Sequence, residues 1–263
     1  MNKRLALLLL VLLPMMACNK NKQDDAAVAP IDAATPTAES GTAAAEATTA
    51  PVAEDPNIAA AADAIAASAA SAAAAGPALV PGTDYIEIAN GQPYRPLDGK
   101  VEVVEVFAYW CGHCASFQPL VDAWKRKLPA DVRFTYVPLA GGPADTLARA
   151  YFAAETAGQL DKTHNAIFNA IHLTRSLSQR PTPEEIATLV GKQGVDGKTF
   201  TNAMNGFAIG GHLNRAQQFA MRSGVEGTPT LIVDGKYRVV GKTLEDTLRV
   251  TNQLIVQQRA AKP

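Results

Sequence analysis

Apolar and polar positions change texture twice along this chain. Residues 5–13 are an unbroken apolar run behind Lys3 and Arg4. From about 25 to 76, large apolar side chains almost vanish and alanine dominates, with Pro, Thr and Ser between. After Leu79 the β-branched and aromatic residues return in two rhythms. Residues 84–88 read as a short edge strand. Residues 101–108 are a near-continuous apolar run of strand length, as expected where both faces of a strand are covered. Residues 116–128 carry helical spacing, with Phe117, Leu120, Val121 and Trp124 on one side. A second internal strand is predicted over 132–139. Helices are predicted over 144–157, 162–171, 183–193, 197–205 and 209–223. Strands over 230–233 and 237–240 flank Asp234-Gly235, a strong hairpin signal, and a helix over 244–258 closes the chain. The order β-β-α-β, helical block, α-β-β-α predicts an α/β fold.

Composition divides the chain. The alanine-rich stretch cannot bury enough apolar surface to offset the entropy of ordering it, so 18–80 reads as a low-complexity linker and 81–263 as one folded domain. A marginal helix is expected over 57–75, between Pro56 and Gly76, with almost no apolar stripe to dock. As a flexible coil, a tether of about 60 residues would span on the order of 40–45 Å. The positive start and the apolar run, too short for a membrane span of about 20 residues, read as an export signal over 1–17. Cys18 directly after Ala17 resembles a bacterial lipobox and is the candidate lipidation site and membrane anchor. Met15 and Met16 depart from that pattern, and ordinary cleavage near Ala17 is the alternative. Export places the domain in an oxidising periplasm. Net charge is −1 and no basic run exists, so nucleic-acid binding has no support.

Chemistry concentrates in Cys111-Gly112-His113-Cys114, where the predicted strand meets a helix start. There, unpaired backbone N–H groups and the helix dipole stabilise a thiolate on the first cysteine. Cys111 is the expected nucleophile and Cys114, one turn in, the resolving thiol. His113 can favour the Cys111 thiolate, and Gly112 leaves room for a substrate chain. A substrate thiolate would attack the Cys111–Cys114 disulfide, form a mixed disulfide on Cys111 and be released by its second thiol. Half a zinc site is one alternative. It needs about two further ligands, and the folded part has no other cysteine, while His164, His172 and His212 are scattered. A static structural disulfide is the other. No metal and no cofactor beyond the redox-active disulfide are expected, and the three histidines are read as ordinary helix residues.

With these elements in place, the chain resembles the thioredoxin superfamily and, within it, the DsbA-like oxidases, over roughly 83–258. Trp110-Cys111-Gly112-His113-Cys114 looks like that active site, although Gly-His is the dipeptide usual in protein disulfide isomerases. Gly224-Val225-Glu226-Gly227-Thr228-Pro229-Thr230 resembles the loop holding the family's cis-proline, and the helical block over about 144–205 interrupts the thioredoxin order as in DsbA. The resemblance implies that Pro229 is cis and faces Cys111, that the Thr228 backbone pairs with a bound substrate strand, that Thr228, as the residue before the proline, tunes the redox potential, and that Trp110 and Gly112 border the substrate. A trans Pro229 merely opening the next strand is the alternative. The resemblance also puts Glu105 where the family keeps a buried carboxylate. Buried among Val103, Val104, Val106 and Phe107, it would have a raised pKa and could exchange a proton with Cys114; turned to solvent, it would do neither. A basic partner for it is not evident over 132–139.

The implied activity is to introduce disulfides into reduced exported proteins, with reoxidation by a DsbB-type membrane oxidase. A disulfide isomerase or reductase of the same fold is the first rival. The tether contains no dimerisation domain, so a monomer is expected. A binding or chaperone-like lipoprotein with an incidental disulfide is the second.

Overall fold

The computed structural model describes residues 60–64, 67, 76–142 and 144–262. The expected signal, Cys18 and the low-complexity stretch before residue 60 lie outside the described residues. Strand β1 (Tyr85–Glu87) is a short edge. Strand β2 (Val101–Phe107) is buried at every position, as its apolar run predicts. Two glutamates interrupt that run, and three residues apart on a strand they point to opposite faces. Glu102 is satisfied there. It accepts from the backbone N–H of Tyr94 at 2.6 Å and of Arg95 at 3.0 Å, and pairs with Arg133 at 2.9 Å. Glu105 is not, because its Oε2 is buried without a hydrogen-bond partner.

Helix α1 (Gly112–Lys125) follows β2 directly. It begins four residues before the apolar spacing does, because Cys111 caps it. It ends at Lys125 rather than 128, where Pro129 disfavours helical backbone in the residue before it. Strand β3 (Val132–Pro138) pairs parallel to β2, with Glu105 opposite Tyr136. The helical block consists of α2 (Thr146–Thr156), α3 (Leu160–Phe168), a π-helical turn (Asn169–Leu173), α4 (Pro183–Lys192) and α5 (Gly197–Met204), with α6 (Phe207–Arg222) leading back to the sheet. Side-chain caps explain several starts: Asp145 accepts from Ala148 N–H, Asp196 from Thr199 N–H, and Thr182 with Glu185 forms a reciprocal capping box.

Strand β4 (Thr230–Val233) pairs antiparallel to β2, with Leu231 opposite Glu105. The predicted hairpin turn brings in β5 (Tyr237–Val239), with Asp234 and Gly235 at φ 50° and 66°. The sheet order is β1-β5-β4-β2-β3. Helix α7 (Leu244–Ala260) packs on β4 and β5 and is tied to α1 where Trp124 Nε1–H donates to Asn252 Oδ1 at 2.8 Å.

The linker departs from expectation. Residues 60–64 are helical, Ala62 is only 2% exposed, and Asp63 lies 3.3 Å from Arg126 Nη2 and 3.6 Å from Lys127 Nζ. A methyl group is small enough to seat here without an apolar stripe, and an ion pair fixes its register. Among the described residues, no helix is long and apolar enough to cross a membrane.

Candidate active site

The turn from β2 to α1 carries the cysteines. Cys111 N–H donates to Ala108 O at 3.0 Å, closing the turn. Cys111 is then the N-cap of α1, in extended backbone (φ −82°, ψ 117°), and its sulfur takes the acceptor role usually filled by Ser or Asp. The Cys114 N–H points at Cys111 Sγ from 3.4 Å. No acidic residue occupies the first turn of α1, so nothing there offsets the positive end of the helix dipole. Both cysteines are thiols in this structure. Cys111 retains 9% exposure while Cys114 is sealed, which separates an attackable sulfur from a protected one.

Opposite them lies the loop before β4. The Thr228-Pro229 bond is cis, not trans. Thr228 O sits 3.2 Å from Cys111 Sγ and accepts its S–H. Trp110, 41% exposed, Gly112 and His113 stand at the surface around Cys111. A β-carbon added at Gly112 would meet no atom within 4 Å. The structure therefore gathers the motif, Thr228 and Pro229 at one place, with Glu105 buried behind them.

Glu105 is turned inward, not to solvent. Burial, then the negative charge of Asp122, push its carboxyl up to about 8; Lys125 opposes them and Cys111 adds to them. Lys125, in the last turn of α1, is ion-paired with Asp122 at 2.6 Å and acts on Glu105 only through its charge. Burial raises the Cys114 thiol as well, and the Glu105 carboxylate raises it further. The two groups discourage each other's ionisation, so one proton lost from the pair disfavours loss of the second.

Around Glu105 runs a polar network that spacing did not reveal. Tyr136 OH accepts from Gln118 Nε2 at 2.8 Å, and Gln118 Oε1 lies 3.2 Å from His164 Nε2. His164 Nδ1 is 2.8 Å from Tyr109 OH. Burial pulls the His164 imidazole down to about 3, so it is neutral. An amide oxygen only accepts, so Nε2 carries the hydrogen and Nδ1 accepts from the Tyr109 hydroxyl. His164 also packs edge-on against Phe107, with ring centroids 5.1 Å apart. The available signal was Gln118, a polar residue between the apolar positions Phe117 and Val121 on the core side of α1. His172 was missed too; its Nε2 is 2.7 Å from Tyr109 O. Among the described residues, no group of three or more His, Cys, Asp or Glu side chains could hold a metal ion.

A capped, attackable sulfur with a sealed partner one helical turn away and a cis X-Pro loop across from it places the molecule among thioredoxin-fold proteins that exchange dithiols and disulfides. A family model described as a DSBA-like thioredoxin domain matches residues 102–251. The thiol:disulfide interchange protein DsbA of Pseudomonas aeruginosa is 40% identical over 184 residues, covering 68% of this chain and 86% of that protein. The protein of the same name from Burkholderia cepacia is 35% identical over 176 residues, covering 66% and 81%. The crystal structure of oxidoreductase DsbA from Xylella fastidiosa is 42% identical, with a TM-score of 0.67, covering 69% of this chain and 98% of that one. The chain belongs to the DsbA-like thioredoxin family and is a thiol:disulfide oxidoreductase.

Proposed function

We propose that this protein introduces disulfides into reduced exported proteins in the periplasm, with Cys111 as the exchanging sulfur. The observation that carries this reading is the seat of Cys111 Sγ at the N-terminus of α1, where the Cys114 N–H points at it. A sulfur at a helix N-terminus is stabilised as thiolate, so it leaves readily from a mixed disulfide and favours the reduced enzyme; both effects suit an oxidant.

In the oxidised enzyme a substrate thiolate attacks Cys111 Sγ. The Cys111–Cys114 bond breaks and Cys114 departs with the electron pair. Its basicity, raised by burial, requires a proton, and Glu105, protonated near neutral pH, would supply it. The second substrate thiolate then attacks the substrate's own sulfur, forming the new disulfide and releasing the Cys111 thiolate. The two electrons of the substrate thiols end on the enzyme dithiol. No cofactor beyond the disulfide enters this scheme. His113 supports the Cys111 thiolate from the surface. The Thr228 backbone, set by Pro229, pairs with the substrate strand, while Trp110 and Gly112 border it. A DsbB-type membrane oxidase would restore the disulfide. The export signal over 1–17, an acyl chain on Cys18, the division into a linker over 18–80 and a domain over 81–263, and a monomeric state complete the reading. The mass of the membrane-extracted protein tests the anchor, since a chain cut away from Cys18 without acyl groups rules it out.

The reduction potential in glutathione buffers tests the main claim. Members of the superfamily lie at about −120 mV for DsbA, −180 mV for protein disulfide isomerase and −270 mV for thioredoxin. A value between the first two is expected. One near the last makes the protein a reductase. Rescue of scrambled substrate at an intermediate value makes it an isomerase.

A further inference from the structure

Helix α3 does not stop at Phe168 but opens into the π-helical turn, closed by Thr174 N–H donating to Asn169 O, five residues back, at 2.8 Å. Such turns are rare and concentrate at functional sites. This one places the His172 imidazole against the active-site turn, its Nε2 2.7 Å from the carbonyl of Tyr109. A carbonyl only accepts, so Nε2 carries the hydrogen. Eight residues earlier on the same helical run, His164 holds the phenol of the same Tyr109. The insertion therefore grips one residue of the active-site turn at both ends, through the ring and through the backbone. Downstream, Gln179 Nε2 makes a long contact of 3.4 Å with the next carbonyl, Trp110 O.

These contacts bear on the sulfur. Ala108 O is used inside the turn by Cys111 N–H. Tyr109 O and Trp110 O are the remaining carbonyls between the strand and the nucleophile, and both are met by donors from the insertion. An unpaired carbonyl in this turn would leave its negative end beside the place where the thiolate charge develops. It would also free the peptide planes that aim the start of α1 at Cys111 Sγ. A donor on Tyr109 O both draws off that negative charge and fixes the plane.

We propose that His172 is a positioning residue for the redox reaction: by donating to Tyr109 O, it holds the turn in which the Cys111 thiolate is stabilised, and so makes the disulfide a stronger oxidant. This rests on the reading of Cys111 as the exchanging sulfur. The test compares full-length His172→Phe and His172→Gln with wild type. Phenylalanine keeps a ring beside Phe168, 6.2 Å away in the native pair, but cannot donate; glutamine keeps a donor near the Nε2 position. Three quantities are read: the equilibrium constant against glutathione, the fraction of Cys111 present as thiolate by ultraviolet absorbance at neutral pH, and the melting temperature. His172→Phe should weaken the oxidant about tenfold, equivalent to about 30 mV, with less thiolate, while His172→Gln stays within about threefold of wild type. A melting temperature that falls in His172→Phe with the equilibrium constant and thiolate fraction unchanged would overturn the proposal, as would glutamine failing as badly as phenylalanine. If the Phe variant does not fold, His172→Asn, one methylene shorter than Gln, supplies the non-reaching donor for the same comparison. The proposal is read from differences to wild type. A wild-type potential near that of thioredoxin would defeat the oxidase reading and leave this comparison intact.

Discussion

A carboxyl sealed beneath a pair of thiols makes the pH of the solution part of the protein's stability. The Glu105 carboxyl is raised from 4.5 to about 8 in the folded protein. Between those values the native state holds a proton that the unfolded chain has released, so stability falls as pH rises through this window and is level above it. The cost at pH 7 is about 3 kcal/mol, because each tenfold change in proton affinity corresponds to roughly 1.4 kcal/mol. Urea unfolding of the dithiol form should therefore lose stability from pH 7 to pH 8, a window above the one in which His164, pulled down from 6.5 to about 3, adds stability as pH rises. Glu105→Gln should flatten that difference, and should also remove the pH dependence of mixed-disulfide resolution near pH 8. If resolution keeps its pH profile in the variant, Glu105 is not the proton donor. A second residue-scale outcome concerns Gly112. It is the first residue of α1, where proline loses no hydrogen bond; a β-carbon there meets nothing, and Cys111 already has the extended backbone that a following proline demands. Gly112→Pro should keep the fold, with thermal melts showing stability unchanged or raised by up to about 1 kcal/mol. At this scale the sequence was informative about Glu105, because its apolar neighbours announce burial. The charges of Asp122 and Lys125 that act on it were unreadable, because they reach it from helix to strand and leave no mark in local spacing.

At the scale of elements, period and punctuation carried most of the information. The near-continuous apolar run of β2, the Asp-Gly turn and the Thr-Pro-x-Glu start of α4 each have a local cause, and each forms where it was expected. The start of α1 and the π-helical turn did not show in the apolar pattern. The first is set by a sulfur acting as a cap, which the spacing of Phe117, Leu120 and Val121 cannot register. The second depends on hydrogen bonds five residues apart, and no hydrophobic period distinguishes it from an ordinary helix end. The capping box offers a control for the active-site variants. Thr182 accepts from Glu185 N–H at 3.2 Å, and Thr182 N–H donates in return to the Glu185 carboxylate at 2.7 Å. Thr182→Ala should cost about 1 kcal/mol in chemical unfolding and leave the reduction potential unchanged. A change in potential would mean that the insertion communicates with the cysteines through α4 as well as through the π-helical turn.

For the molecule as a whole, the α/β class and the interruption of the sheet by helices were legible, since both follow from the order of strand-length and helix-length segments. The docking of the linker was not, because it rests on a buried methyl group and on the two cations that meet Asp63, Arg126 and Lys127. Asp63→Lys puts a third cation beside Arg126 and Lys127 and should release the segment. Faster amide exchange over 60–64 would report this, with a stability change below about 1 kcal/mol, the scale of an exposed pair, and unchanged exchange activity. Protection that persists in the variant would mean that Ala62 and the bond from Lys127 Nζ to the Asp63 carbonyl seat the helix without the ion pairs.

The contact between Cys111 and Thr228 joins residues 117 apart in the chain, and that separation has a meaning in time. A ribosome adds about 5–20 residues per second. The nucleophilic sulfur is therefore made roughly ten seconds before the loop that faces it, with β4 still to be synthesised after that loop. Through that interval the nascent chain carries its thiol pair with no opposing carbonyl. An enzyme that handles other proteins' cysteines thus begins its existence with its own cysteines unguarded.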